Sequence, residues 1–186
     1  NSESESNALE IEMYKKLCER IINETENLNS VSKQTAFLDV ICNFANLSEN
    51  RGYTRPKISK EKKIDIVNGR HPVVEESLKK DGDDFTPNDC LMTSENNIWI
   101  MTGPNMAGKS TFLRQTAVII LLNQIGCYVP ADKSTLGIFD KIFTRIGASD
   151  DLSLGLSTFM TEMVETSRII NEASDSSLVI LDELGR

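Results

Sequence analysis

The sequence predicts an α/β fold: a nucleotide-binding sheet with flanking helices, preceded by a long helical connector. Three observations carry the prediction. The run Asn97-Ile98-Trp99-Ile100-Met101-Thr102 reads as a buried strand and leads into a Gly-rich loop, Gly103 to Thr111. A second apolar run, Leu178-Val179-Ile180-Leu181, ends in Asp182-Glu183 and reads as a central parallel strand. The stretch from Ala8 to Leu47 lacks Pro and Gly and repeats its apolar residues at helical spacing.

The helical stretch comes first. Leu9, Met13, Leu17 and Ile21 recur every four residues, and Leu28, Val31, Leu38, Ile41 and Ala45 continue the pattern. One long helix fits, or two with a break near Asn27-Leu28-Asn29. A helix of about 40 residues spans about 60 Å, the reach of a lever or connector. Gly52 and Pro56 end the pattern. The domain boundary is placed there, giving a lever or connector segment over 1–50 and a nucleotide-binding domain over 51–186.

In the second segment, Ile64-Asp65-Ile66-Val67 reads as a strand, Asn68 to Pro72 as a turn, and Lys79 to Asp84 as a charged loop. The lone His71 fits a hydrogen-bonded turn residue better than a catalytic base. Thr111 to Ile125 reads as a helix ended by Gly126, apolar on most faces and so buried on both sides. Ile142 to Ile146 is a short strand. Ser157 or Thr158 can cap a helix whose apolar face, Met160, Met163, Val164 and Ile170, fits a core face.

Composition narrows the function. With 28 acidic and 20 basic residues the net charge is −8, and no basic stripe marks a nucleic-acid surface. If the whole protein handles DNA, this segment is not expected to be its main DNA-binding part. The four cysteines, Cys18, Cys42, Cys90 and Cys127, form no C-x-x-C pair, so a reducing, intracellular setting fits. Cys42 and Cys127 read as small core residues. No apolar run approaches the length of a membrane span, so no membrane partner is expected.

The chemistry centres on Gly103-Pro104-Asn105-Met106-Ala107-Gly108-Lys109-Ser110-Thr111, which fits G-x-x-x-x-G-K-[ST], the P-loop or Walker A motif. Gly103 and Gly108 let the backbone curl so that N–H groups face phosphates. Lys109 brings a cation to the β and γ phosphates, and Ser110 a hydroxyl to Mg²⁺. A helix starting at about Gly108 turns its positive end toward the anion. Asp182 is expected near that Mg²⁺, and Glu183 is expected to polarise the attacking water. The implied cofactors are ATP or ADP with Mg²⁺, and the catalytic pair is Glu183 with Lys109.

These residues resemble the MutS family of DNA mismatch repair ATPases, members of the wider ABC ATPase class. The resemblance rests on Thr102 to Thr111 with Arg114-Gln115-Thr116, on Gly126 to Ala131, and on Ile142 to Gly147. It extends to Asp150-Asp151-Leu152, Ser157 to Met160 with Glu162-Met163, Leu181 to Arg186, and Gly69 to Val73. Ala107 departs from the family's usual Gly. The resemblance implies an ABC-type P-loop sheet, here truncated at its C-terminus, and an ATPase that needs an intact dimer. It implies that Phe85 stacks on adenine and that Asn88 lies near the base. It also implies that Asn105 meets the γ-phosphate, and that Ser157 and Thr158 reach a nucleotide on a second protomer. The implied partners are that protomer, in a homo- or heterodimer, and mismatched double-stranded DNA. Phe37 to Val40 and Ile64 to Pro72 look most like the fungal mitochondrial members, which favours a mitochondrion over a nucleus or a bacterial cytoplasm. Three alternatives stand beside this reading: a non-repair ABC-type ATPase, a MutS-like recombination protein, and a nucleotide-dependent dimerisation module without turnover.

Overall fold

The structure is a computed structural model that describes residues 2–104, 106–146 and 158–182. The chain divides into two compact units, 1–46 and 47–186.

The first unit is helical. Helix α1 spans Ser2–Asn23, and α2 spans Thr25–Arg51. The break falls at Glu24 rather than near Asn27 to Asn29. Glu24 N still donates to the Ile21 carbonyl at 3.1 Å, and Leu28 N donates to the Glu24 carbonyl at 2.9 Å. The Thr25 hydroxyl bonds back to the Ile21 carbonyl at 3.2 Å, an alternative to the regular ladder that short hydroxyl side chains offer. The apolar repeat lies in the open: Leu9, Met13, Leu17 and Ile21 are all more than half exposed. Cys42 is exposed too, not a core residue, whereas Cys127 is buried.

The second unit is mixed α/β. Its strands are β1 (Lys57–Ile58), β2 (Ile64–Gly69), β3 (Asn88–Met92), β4 (Lys133–Leu136), β5 (Ile142–Ile146) and β6 (Leu178–Asp182). Its further helices are α3 (Pro72–Asp81), α4 (Lys109–Gln124) and α5 (Thr158–Glu172). One sheet has the order β1-β4-β2-β3, with β2 antiparallel to both neighbours and β1 parallel to β4. The other is a parallel pair, β5-β6. Helix α4 packs on β2 and on β6, and its Ile119 and Ile120 are fully buried among Ile64, Ile66, Leu178 and Ile180. Leu121 on the same helix and Ile125 just past its end stay about half exposed, so α4 is buried on part of its circumference only.

The single P-loop (ABC-type) nucleotide-binding sheet that the sequence predicts is therefore not what the strands build. Residues 97–102 form no strand, and Ile98 and Ile100 are 78% and 88% exposed. Strand β6, expected to be central, pairs with β5 alone among the described residues, and Val179 and Leu181 stay about 40% exposed. A cleft of about 760 Å³ has both the 97–101 segment and the β6 residues Leu178 to Leu181 in its walls. An apolar run becomes a strand only where a neighbour accepts its backbone hydrogen bonds, and this one pairs with no strand among the described residues. What stands is a mixed α/β unit with two separate sheets joined through α4.

Candidate functional site

The loop before α4 is the best-formed candidate site. Helix α4 starts at Lys109 behind Gly108, whose φ of 85° is left-handed and whose residue offers no side-chain cap. Glycine serves conformation at that position, because a Cβ there would meet nothing within 4 Å. Gly103 has a φ of 152°, and Met106, a non-glycine, has a φ of 62°. Such backbone is uncommon outside glycine and collects at functional turns. The first-turn N–H groups of α4 thus emerge from an uncapped start, the arrangement that favours an anion.

Lys109 closes the loop on itself. Its Nζ donates to the carbonyl oxygens of Gly103 and Pro104, each at 2.7 Å. Ser110 and Thr111, in the first turn of α4, are half-buried, while Gly103, Pro104, Met106, Ala107 and Gly108 are exposed. Asn105 lies outside the described residues. Ahead of the loop, Trp99 stacks on Phe112 of α4 with centroids 6.2 Å apart.

Asp182 ends β6, buried to 7% exposure and opposite Ile146 in the strand register. Because β6 packs on α4, its acid end and the Ser110 turn belong to neighbouring elements. Both residues carry oxygen donors of the kind Mg²⁺ takes. No group of three or more His, Cys, Asp or Glu residues forms a metal cluster among the described residues. Glu183 and Ser157 lie outside the described residues, as do Asp150 and Asp151, and Thr158 is the first residue of α5.

Phe85 and Asn88 sit on the approach to β3. Phe85 is half-buried. Asn88 opens the strand opposite Gly69, and its Nδ2 donates to the Thr86 carbonyl at 3.0 Å. Among the described residues no hydrogen bond joins Asn88 to the 103–111 loop. His71 is the N-cap of α3, where its Nδ1 accepts from Val74 N at 3.4 Å. Burial lowers its pKa, and the charge of Arg114 lowers it further. It is a structural cap, as its place in a turn suggests.

The sequence pattern left one residue unnoticed. Arg145 of β5 is 2% exposed and holds Glu162 of α5 at 2.6 Å, while its Nε lies 3.0 Å from Glu165. The available signal was a lone Arg inside an apolar strand, which demands a buried carboxylate. The stripe Met160, Met163, Val164 and Ile170 on α5 is exposed by 42% or more, not a core face.

Comparison with known proteins shows what the chain is similar to. Residues 99–186 match the family profile described as MutS domain V. The chain is 50% identical over 179 residues to the DNA mismatch repair protein MutS of Rickettsia bellii (strain RML369-C), a match covering 96% of this chain and 20% of that protein. Identity to the protein of the same name is 49% in Rickettsia felis, over 179 residues, and 49% in Rickettsia prowazekii (strain Madrid E), over 178. Each of these two matches also covers 96% of this chain and 20% of the relative. The chain spans about a fifth of the length of the curated relatives it matches. No helix among the described residues is long and apolar enough to cross a membrane.

Proposed function

We propose that this chain, whose domain match and half-identical relatives support a MutS-family protein, carries the ATP-handling loop of a DNA mismatch repair ATPase. One observation carries the reading most: the uncapped start of α4 behind Gly108, with the Lys109 ammonium poised over the same loop. A polyphosphate would take the first-turn N–H groups of α4, and the Lys109 ammonium would turn from the Gly103 and Pro104 carbonyls to the β and γ phosphates. ATP or ADP would bind through Gly103 to Thr111, with Phe85 and Asn88 on the base. Ser110 and Asp182 would hold Mg²⁺, which when bound neutralises charge building on the phosphates. Glu183 would orient and deprotonate the attacking water.

The wider role is part of the same proposal. Turnover would require a second protomer, whose Ser157 and Thr158 complete the site, and would be coupled to clamp movement on mismatched double-stranded DNA. A mitochondrial setting rests on the resemblance of Phe37 to Val40 and Ile64 to Pro72; the relatives above are bacterial and do not add to it.

The reading is tested in the full-length parent with Glu183→Gln. ATP binding should persist while turnover falls by about two to four decades. Poor ATP binding combined with normal hydrolysis of what is bound would remove Glu183 from the base role.

A further inference from the structure

We propose that Arg145 is a positioning residue for the nucleotide site: it clamps α5 to β5 and so fixes where α5 begins relative to the acid end of β6. The proposal deepens the nucleotide reading above and rests on it.

The observation is a buried ion pair, Arg145 with Glu162, extended to the half-exposed Glu165, where an apolar contact would be expected. Arg145 Nη2 lies 2.6 Å from Glu162 Oε1, with the two side chains 2% and 5% exposed. Its Nε lies 3.0 Å from Glu165 Oε2. Glu162 keeps a second buried oxygen, Oε2, with no hydrogen-bond partner among the described residues. A buried ion pair is no better for stability than well-packed apolar residues, but breaking one is costly, because a charge is left stranded. What the planar guanidinium adds is orientation.

Helix α5 needs that orientation. Its Met160, Met163, Val164 and Ile170 are exposed, so that stripe does not seat the helix. Polar tethers do. Arg145 grips Glu162 and Glu165 in the first half of α5, and the Lys141 ammonium donates to the Glu172 carbonyl at 2.9 Å at the far end.

The clamp stands one step from two candidate site residues. In the β5-β6 register Arg145 faces Leu181, and the next rung joins Ile146 to Asp182. Glu162 is four residues, one helical turn, after Thr158 at the start of α5. A shift of Arg145 therefore moves the start of α5 against Asp182 without touching the 103–111 loop. Misplacing a positioned group should lower turnover while leaving binding through Lys109 and Ser110 intact.

The test is steady-state ATP hydrolysis and nucleotide binding by the full-length parent, comparing Arg145→Met, Arg145→Lys and Glu165→Gln with wild type and with Lys109→Ala. Arg145→Met should lower kcat by about ten- to a hundredfold with KM changed less than about threefold. Arg145→Lys should recover part of the loss, and Glu165→Gln should show a smaller fall in kcat. Glu165 is half-exposed, so its variant decides the matter if Arg145→Met does not fold. If Lys109→Ala loses binding while the Arg145 and Glu165 variants keep wild-type kcat, the positioning role is overturned and the nucleotide reading survives. If Lys109→Ala binds and turns over like wild type, the nucleotide reading falls and the proposal with it.

Discussion

Trp99 lies flat against Phe112, with 6° between the ring planes and 6.2 Å between centroids. The contact ties an exposed apolar segment to the second turn of α4, just beyond the candidate loop. Trp99 is the chain's single tryptophan, so the chain's tryptophan emission reports on its surroundings, this contact among them. Phe112→Ala should move Trp99 emission to longer wavelength. It should also cost about 0.5–1.5 kcal/mol of stability for the ring pair, beyond the lost burial. An unchanged emission spectrum in a folded variant would contradict the stacked arrangement.

Gly69 ends β2 in a crowded place. A Cβ there would meet Gln115 Nε2 and Ile66 Cγ2 at 2.8 Å, and the Asn88 carbonyl oxygen at 3.1 Å. The Ile66 atom and the Asn88 backbone have little room to give. Gly69→Ala should destabilise the chain by about 1–3 kcal/mol in urea unfolding. A variant as stable as wild type would show that β2 and α4 are packed less closely than the structure has them.

His71 makes stability depend on pH with a definite sign. Its folded pKa is lowered from the ordinary 6.5, first by burial and then by Arg114. The unfolded chain therefore takes up the proton more readily than the folded one. The stabilising contribution is whole above about pH 6.5 and is lost as the pH falls through that value toward the folded pKa. Protonation of Nδ1 would also remove the acceptor for Val74 N. His71→Asn keeps a capping oxygen and removes the titration. Between about pH 7.5 and about pH 5.5, Tm should fall more in wild type than in His71→Asn. Equal falls would rule out His71 as a contributor.

What could be read from the sequence was local. The helix after the loop showed in its spacing, and its end showed in Gly126, which takes a φ of 86°. Strands β5 and β6 showed in their apolar runs, and the structure pairs them in parallel. Other elements were legible but passed over. Helix α3 carries its own signals, His71 as cap, Pro72 at its start and Gly82 at its end. Strand β4 was hidden by Ser134 and Thr135, whose polar side chains break the apolar pattern although Ser134 is buried. The failures were of partnership. Residues 97–102 and the α5 stripe are apolar in the sequence, but composition states a preference for burial and not what will cover it. The same limit hid the Arg145 cluster, since Glu162 and Glu165 meet it only through the packing of α5 on β5. For the site, the loop's left-handed glycine and its Lys109 were legible from spacing alone. Asn88 was placed by resemblance, and the structure ties it to Thr86 and Gly69.

The measurement closest to the central claim is calorimetric titration of the full-length parent with ATP and Mg²⁺, comparing wild type with Lys109→Ala. Lys109 now spends its ammonium on the Gly103 and Pro104 carbonyls at 2.7 Å. If that group is the phosphate ligand, losing its charge-assisted contacts should weaken binding by about 1.5–3 kcal/mol, roughly ten- to a hundredfold. Equal affinity in the two proteins would contradict the account.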